Sequence, residues 1–149
     1  MANLQELVKW CDQTLMVHEF KDYAPNGLQI EGNPEVKKIV CAVTASEAAI
    51  DAAIAAKADA LLVHHGYFWK GEAYPITGMR GNRIRKLIQH NISLIAYHLP
   101  LDAHTTLGNN AAIADLIGLK NIVALDATEK YPIGNIGDLE SAITPEQFK

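Results

Sequence analysis

Two adjacent histidines, His64 and His65, close the apolar run Ala60-Leu61-Leu62-Val63 and pass directly into Gly66. A second apolar run, Ile92-Ser93-Leu94-Ile95-Ala96-Tyr97, ends in His98-Leu99-Pro100-Leu101-Asp102-Ala103-His104. Both runs read as short buried strands, and both stop on side chains that bind transition metals. Imidazole nitrogens mixed with a carboxylate suit Zn, Fe, Mn, Co or Ni. In an open parallel sheet the carboxyl ends of neighbouring strands form the ligand crevice, so two strands would deliver these groups to one rim. His64, His65 and Asp102 are the candidate ligands. His98 and His104 are candidates for ligands, for outer partners that orient a ligand, or for proton carriers.

Each assignment has a competing structural reading. A regular strand sends successive side chains to opposite faces, which would part His64 from His65. A backbone that curls before Gly66 brings both rings to one side, where they serve one ion or one each of two. Pro100 stops the second strand and turns the chain, and Asp102 there reads alternatively as a helix cap or turn residue. His18 and His90 fall at predicted helix ends and read as solvated. Two ions about 3.5–4 Å apart commonly share a bridging oxygen. The rim offers one carboxylate, Asp102, with Glu72 in the following loop as a second candidate, so the set is one carboxylate short.

Beside the pair, Tyr67-Phe68-Trp69-Lys70-Gly71 reads either as an aromatic wall with a cationic tip or as a loop docking its rings into the core or a subunit interface. Arg80, Arg83, Arg85 and Lys86 read as a solvated basic helix face or, alternatively, as phosphate-contacting groups. There is no G-x-G-x-x-G, no G-x-x-x-x-G-K-[ST] and no nucleophile elbow around Ser46. Dinucleotide, P-loop and serine-hydrolase chemistry are therefore poor fits.

The elements that must position the histidines alternate. A first helix is predicted over residues 4–17, with Asn3 and Glu6 at capping-box spacing and Leu4, Leu7, Val8, Cys11 and Leu15 on one face. Asp22-Tyr23-Ala24-Pro25-Asn26-Gly27 carries loop chemistry, and 28–31 a short strand. Strands at 38–43, 61–64 and 92–97 alternate with helices at 46–57, capped by Ser46, and at 82–90. A helix at 109–117 with Gly118 after its end and a strand at 122–125 follow. This rhythm predicts an α/β fold in which βα repeats build a mainly parallel sheet covered by helices on both faces. Thr144-Pro145-Glu146-Gln147 has the chemistry of a helix start, but too little chain follows to repay nucleation. An irregular tail, or a longer parent chain, is expected.

The 149 residues suit one domain. A hydrophobic share of 49% against 20% charged residues gives a core of normal size without disulfides. A net charge of -4 argues against a sequence-independent nucleic-acid binder. Cys11 and Cys41 are too few for a thiolate zinc site and are expected to pack as small reduced hydrophobes. The N-terminus carries no signal pattern and no apolar stretch approaches bilayer length, which predicts a cytoplasmic protein without membrane contact.

Three segments together carry a family resemblance: Asp22-Tyr23-Ala24-Pro25-Asn26-Gly27-Leu28-Gln29, Val63-His64-His65-Gly66-Tyr67-Phe68-Trp69-Lys70-Gly71, and His98-Leu99-Pro100-Leu101-Asp102-Ala103-His104. They closely resemble the GTP cyclohydrolase I type 2 family, the Ngg-interacting-factor-three-like dinuclear metal proteins, in its bacterial short form. The resemblance implies a toroidal homohexamer with two divalent ions per subunit. It implies metal ligands at His64, His65 and Asp102, and places His98 near the ions as a hydrogen-bonding or acid–base group. Family members carry further ligands in a C-terminal His-x-x-x-Glu motif, which this sequence lacks after Asp102. Residues 1–149 are thus expected to be a single α/β domain forming the N-terminal part of a longer family domain. The expected function is a dinuclear-metal-dependent hydrolase-like protein acting on a nucleotide or other small molecule. The alternatives are a metal-binding, metal-delivery or interaction scaffold without turnover, and a two-metal phosphoesterase or amidohydrolase.

Overall fold

The computed structural model describes residues 1–148 and divides the chain into two compact units, Met1–His98 and Leu99–Lys149. In the first unit the elements run β1 (Ala2–Asn3), α1 (Leu4–Thr14), a 3-10 turn (Val17–Glu19), β2 (Gly27–Ile30), β3 (Glu35–Val36), β4 (Ile39–Thr44), α2 (Glu47–Ala55), β5 (Ala60–His65), α3 (Gly78–Gln89) and β6 (Ser93–Ala96). The second unit contains α4 (Leu99–Ala103), α5 (Asn109–Leu116), β7 (Lys120–Ala124), β8 (Asn135–Asp138) and α6 (Pro145–Phe148).

The first unit is built on a four-stranded sheet in the order β2-β6-β5-β4. β4, β5 and β6 are parallel, with Cys41 opposite Leu62 and Leu62 opposite Ile95. β2 joins the outer edge of β6 antiparallel. The α/β class and the mainly parallel sheet expected from the sequence are therefore present. Leu61 and Val63 of β5, Leu94 and Ala96 of β6, and Ile30 of β2 pack with Ile50 and Ala53 of α2 and Ile84 and Leu87 of α3 in one apolar core. Burying side chains of this size stabilises the fold by roughly 1.5–3 kcal/mol each. Lys86 Nζ, bonded to Glu47 and Asp51 at 2.7 Å each, ties α3 to α2.

Side chains alternate across a strand, so Tyr97 turns away from the core that holds Ala96. Its hydroxyl donates to Asp12 Oδ1 at 2.8 Å and to the Val8 carbonyl at 3.3 Å, both on α1. α1 thus covers the opposite face, and all four residues of β6 are buried. Local chemistry sets the helix starts as expected: Asn3 Oδ1 accepts from the Gln5 and Glu6 amides, and Ser46 Oγ from the Ala49 amide.

Several boundaries and partners differ from expectation. α1 stops at Thr14, where Met16 takes a left-handed conformation and a separate 3-10 turn follows. α3 begins at Gly78, a full turn before the expected 82. β7 is not a further parallel strand; it pairs antiparallel with β8. Pro100, read as a chain-turning residue, is the second residue of the short helix α4. That position costs little, because proline lacks only an amide the first helical turn would leave unpaired. Instead of an irregular tail, Pro145–Phe148 forms one helical turn, with the Thr144 hydroxyl accepting from the Gln147 amide and Gln147 Oε1 from the Thr144 amide. Both cysteines are free thiols, but Cys41 is exposed rather than packed. Among the described residues no helix is long and apolar enough to cross a membrane.

Candidate metal centre

β5 and β6 are parallel neighbours, so their carboxyl ends lie side by side and present His64, His65 and His98 together. The His64 and His65 rings have centroids 4.5 Å apart, and His98 lies 5.0 Å from His64 and 5.8 Å from His65. One ligand nitrogen from each of the three falls within 4.8 Å of the others. All three side chains are half-buried. Thus the two adjacent rings come together at the sheet rim, despite the alternation expected of a regular strand.

The Nδ1 of each ring is engaged by the protein. His64 Nδ1 is 2.9 Å from the Tyr97 carbonyl oxygen, His65 Nδ1 3.1 Å from Thr44 Oγ1, and His98 Nδ1 2.8 Å from Asp22 Oδ1. Such contacts fix ring orientation and tautomer at metal sites. The donor set fits a divalent transition ion: clustered borderline nitrogen donors, each braced from behind, in a site with few protein ligands.

Gly66 must be glycine for this packing. A Cβ there would fall 2.2 Å from Gln29 Oε1 and 2.8 Å from the Ala96 Cβ. Gln29 Oε1 instead accepts the Tyr67 amide at 2.7 Å, so β2 holds the turn that follows His65. The aromatic segment splits between its two readings. Tyr67 is core, its hydroxyl donating to the Ala45 carbonyl at 2.6 Å. Burial pushes that phenol's ionisation up. Trp69 forms a wall, edge-on to His98 at 4.9 Å and 6.0 Å from His65, with its indole N–H on the Gly66 carbonyl.

The other candidates have protein partners of their own. Glu72 accepts from the Trp69 amide at 3.0 Å and from Arg80 Nη1 at 2.7 Å, which clamps the loop. His90 caps the end of α3 through Lys86 O, and His18 lies beside Glu19 at 3.5 Å. In the second unit, Asp102 lies on α4 and its Oδ1 accepts from Asn109 Nδ2 at 2.9 Å. His104 Nδ1 accepts the Thr106 and Leu107 amides at 3.3 and 3.0 Å, a turn-closing contact.

Sequence reasoning missed Thr44, the Tyr97 carbonyl and the polar residues of the 22–29 segment. The signal for Thr44 is its place at the end of β4, opposite His65 in the parallel register. For Asp22, Asn26 and Gln29 the signal is the segment itself, whose polar residues loop chemistry alone suffices to explain.

A family model described as Duf34/NIF3 (NGG1p interacting factor 3) matches residues 2–149. A Neisseria meningitidis serogroup B protein named "GTP cyclohydrolase 1 type 2 homolog" is 51% identical over 148 residues, covering 97% of this chain and 57% of its own length. The chain thus spans a little over half of that relative. The solved structure of protein ybgI, described as of unknown function, superposes with a TM-score of 0.80 at 49% identity over 83% of this chain and 49% of the other. TTHA1606 from Thermus thermophilus gives a TM-score of 0.79 at 42% identity, covering 84% and 52% respectively.

Proposed function

This chain belongs to the Duf34/NIF3 (NGG1p interacting factor 3) family, and on that premise we propose that it is a divalent-metal-dependent hydrolase-like protein of the GTP cyclohydrolase 1 type 2 homologue kind. His64, His65 and Asp102 are the proposed ligands to two divalent ions, and His98 is the proposed acid–base group. The observation that carries the reading is the imidazole cluster, with a nitrogen of each ring within 4.8 Å of the others. Clusters so close, with every Nδ1 occupied from behind, are organised to present Nε2 to a common point.

Divalent ions held by His64, His65 and Asp102 would supply the Lewis acidity for activating water and polarising an attacked carbon. The chain's own groups then divide the remaining work. His98 Nε2 takes and returns a proton at the reacting atom. Trp69 supplies an apolar wall for a planar ring and shields the imidazoles from bulk water. Hydrolytic opening of a purine imidazole ring with release of formate suits these roles. The protein is further proposed to act in the cytoplasm as a homohexamer, a state that light scattering reads directly.

The deciding experiment incubates the metal-loaded protein, expressed from its complete reading frame, with GTP. Formate and a ring-opened product are expected, and both disappear with chelator. Stoichiometric metal binding without formate would sink the cyclohydrolase reading and leave a metal-holding scaffold. Chelator-sensitive turnover of phosphodiesters or peptides instead would favour the phosphoesterase or amidohydrolase alternative.

A further inference from the structure

We propose that Asp22 is a positioning residue for His98: it holds the ring with its proton on Nδ1 and its bare Nε2 toward His64 and His65, and Asn26 braces both. This rests on the reading of the histidine cluster as a metal and acid–base site. The brace is a closed ring of three hydrogen bonds. Asp22 Oδ1 meets His98 Nδ1 at 2.8 Å, Asn26 Nδ2 donates to Asp22 Oδ2 at 2.9 Å, and the His98 amide donates to Asn26 Oδ1 at 2.7 Å.

Donor and acceptor roles in that ring are fixed from the backbone outward. The His98 amide can only donate, so the facing atom of Asn26 is its oxygen. The Asn26 NH₂ therefore turns to Asp22, which must accept. The Tyr23 amide also donates to Asp22 Oδ1, at 2.5 Å. An ionised carboxylate, which only accepts, satisfies this set. The Asp22 side chain is 4% exposed and that of His98 17%, so water competes weakly for either. A carboxylate at Nδ1 makes Nδ1–H the favoured neutral tautomer and leaves the lone pair on Nε2.

The same segment fastens the neighbouring loop. Gln29 Oε1 accepts the Tyr67 amide, Gln29 Nε2 donates to the Pro25 carbonyl, and the Lys70 amide donates to the Tyr23 carbonyl at 2.6 Å. Residues 22–29 thus form a bracket around the histidine cluster, and Asp22 is its link to His98.

The test is nitrogen NMR of ¹⁵N-histidine-labelled, metal-free protein at about pH 9, above the ordinary histidine value of about 6.5, with His98 assigned by His98→Gln. Wild type is expected to carry the His98 proton on Nδ1; a proton on Nε2 overturns the proposal without any variant. Asp22→Ala removes the acceptor, and the ring should shift toward Nε2–H, the form favoured by imidazole in water. Asn26→Ala removes the brace but keeps the acceptor, so Nδ1–H should persist. If both variants change the tautomer alike, Asp22 has only a structural role and the proposal is wrong. Zn²⁺ titration gives the second readout: Asp22→Ala should weaken binding by about 10–100-fold. Wild type that binds no Zn²⁺ yet shows the expected tautomers overturns the metal reading and leaves the positioning role standing. Tight Zn²⁺ binding with a His98 tautomer indifferent to Asp22 does the reverse.

Discussion

His64 Nδ1 lies 2.9 Å from the carbonyl oxygen of Tyr97, so the last turn of β5 is tied to the residue that precedes His98. A carbonyl only accepts, hence the His64 proton sits on Nδ1 and Nε2 is the nitrogen proposed to meet an ion. His64→Ala removes that nitrogen and the tie together. Zn²⁺ affinity is expected to fall by at least about 100-fold, the upper end of what losing an outer partner costs. Titration calorimetry that gives wild-type affinity would refute the assignment.

Asp102 is the proposed carboxylate ligand. Asp102→Ala should lower the Zn²⁺ stoichiometry or affinity, while Asn109→Ala, which removes only the amide that now donates to it, should cost about tenfold or less. Metal analysis after dialysis separates the two; equal, wild-type metal content in both would remove Asp102 from the ligand set.

Gly66→Ala forces a methyl group against Gln29 Oε1 and Ala96. Overpacking of this kind costs about 1–3 kcal/mol, read as a lower urea midpoint. Gln29→Ala should recover part of the loss, because the nearest clashing atom is then gone.

Tyr97→Phe strips the hydroxyl from Asp12 Oδ1 and the Val8 carbonyl and should cost about 1–3 kcal/mol. Burial, then the hydrogen bond to Asp12, raises the Tyr97 phenol above its usual value of about 10. A raised folded value means the unfolded chain ionises first. The stabilisation is complete below about pH 10 and erodes as pH rises above it. Alkaline unfolding should therefore begin later in Tyr97→Phe, relative to its own neutral-pH stability.

At the acid end, Asp59 accepts the Lys37 and Lys38 amides at 2.8 and 2.9 Å, which lowers its carboxyl below the usual range. A lowered folded value gives stability that is present above about pH 3.9 and lost as pH falls through the depressed value. Asp59→Asn should flatten the acid limb of a stability–pH curve between about pH 5 and 2. An unchanged acid limb would remove Asp59 from the account.

What the sequence made legible follows from range. The β4, β5 and β6 strands are continuous apolar runs, and Asn3 and Ser46 announce their helices within three residues. The His64–His65–His98 rim followed, because parallel neighbours end on one edge. β1 and β3, of two residues each, are too short for a period to register, and β8 (Asn135–Asp138) carries a single apolar side chain. Nothing local shows that β2 runs antiparallel. The α3 start was hidden by Gly78 and Gly81, residues that read as loop. The Asp22–Asn26–His98 ring was illegible for another reason: Asp22 and Asn26 are 76 and 72 residues from His98, and only the folded sheet edge joins them.

That distance governs the order of assembly. Asp22 must wait for His98, 76 residues further along, and α1 must wait for Tyr97. On the ribosome, residues 22–29 emerge long before β6, so edge strand β2 has no partner to dock on until β6 appears. Long-range closure is slow and entropically costly. The bracket around the histidines should therefore be among the last parts of the first unit to gain amide protection during refolding.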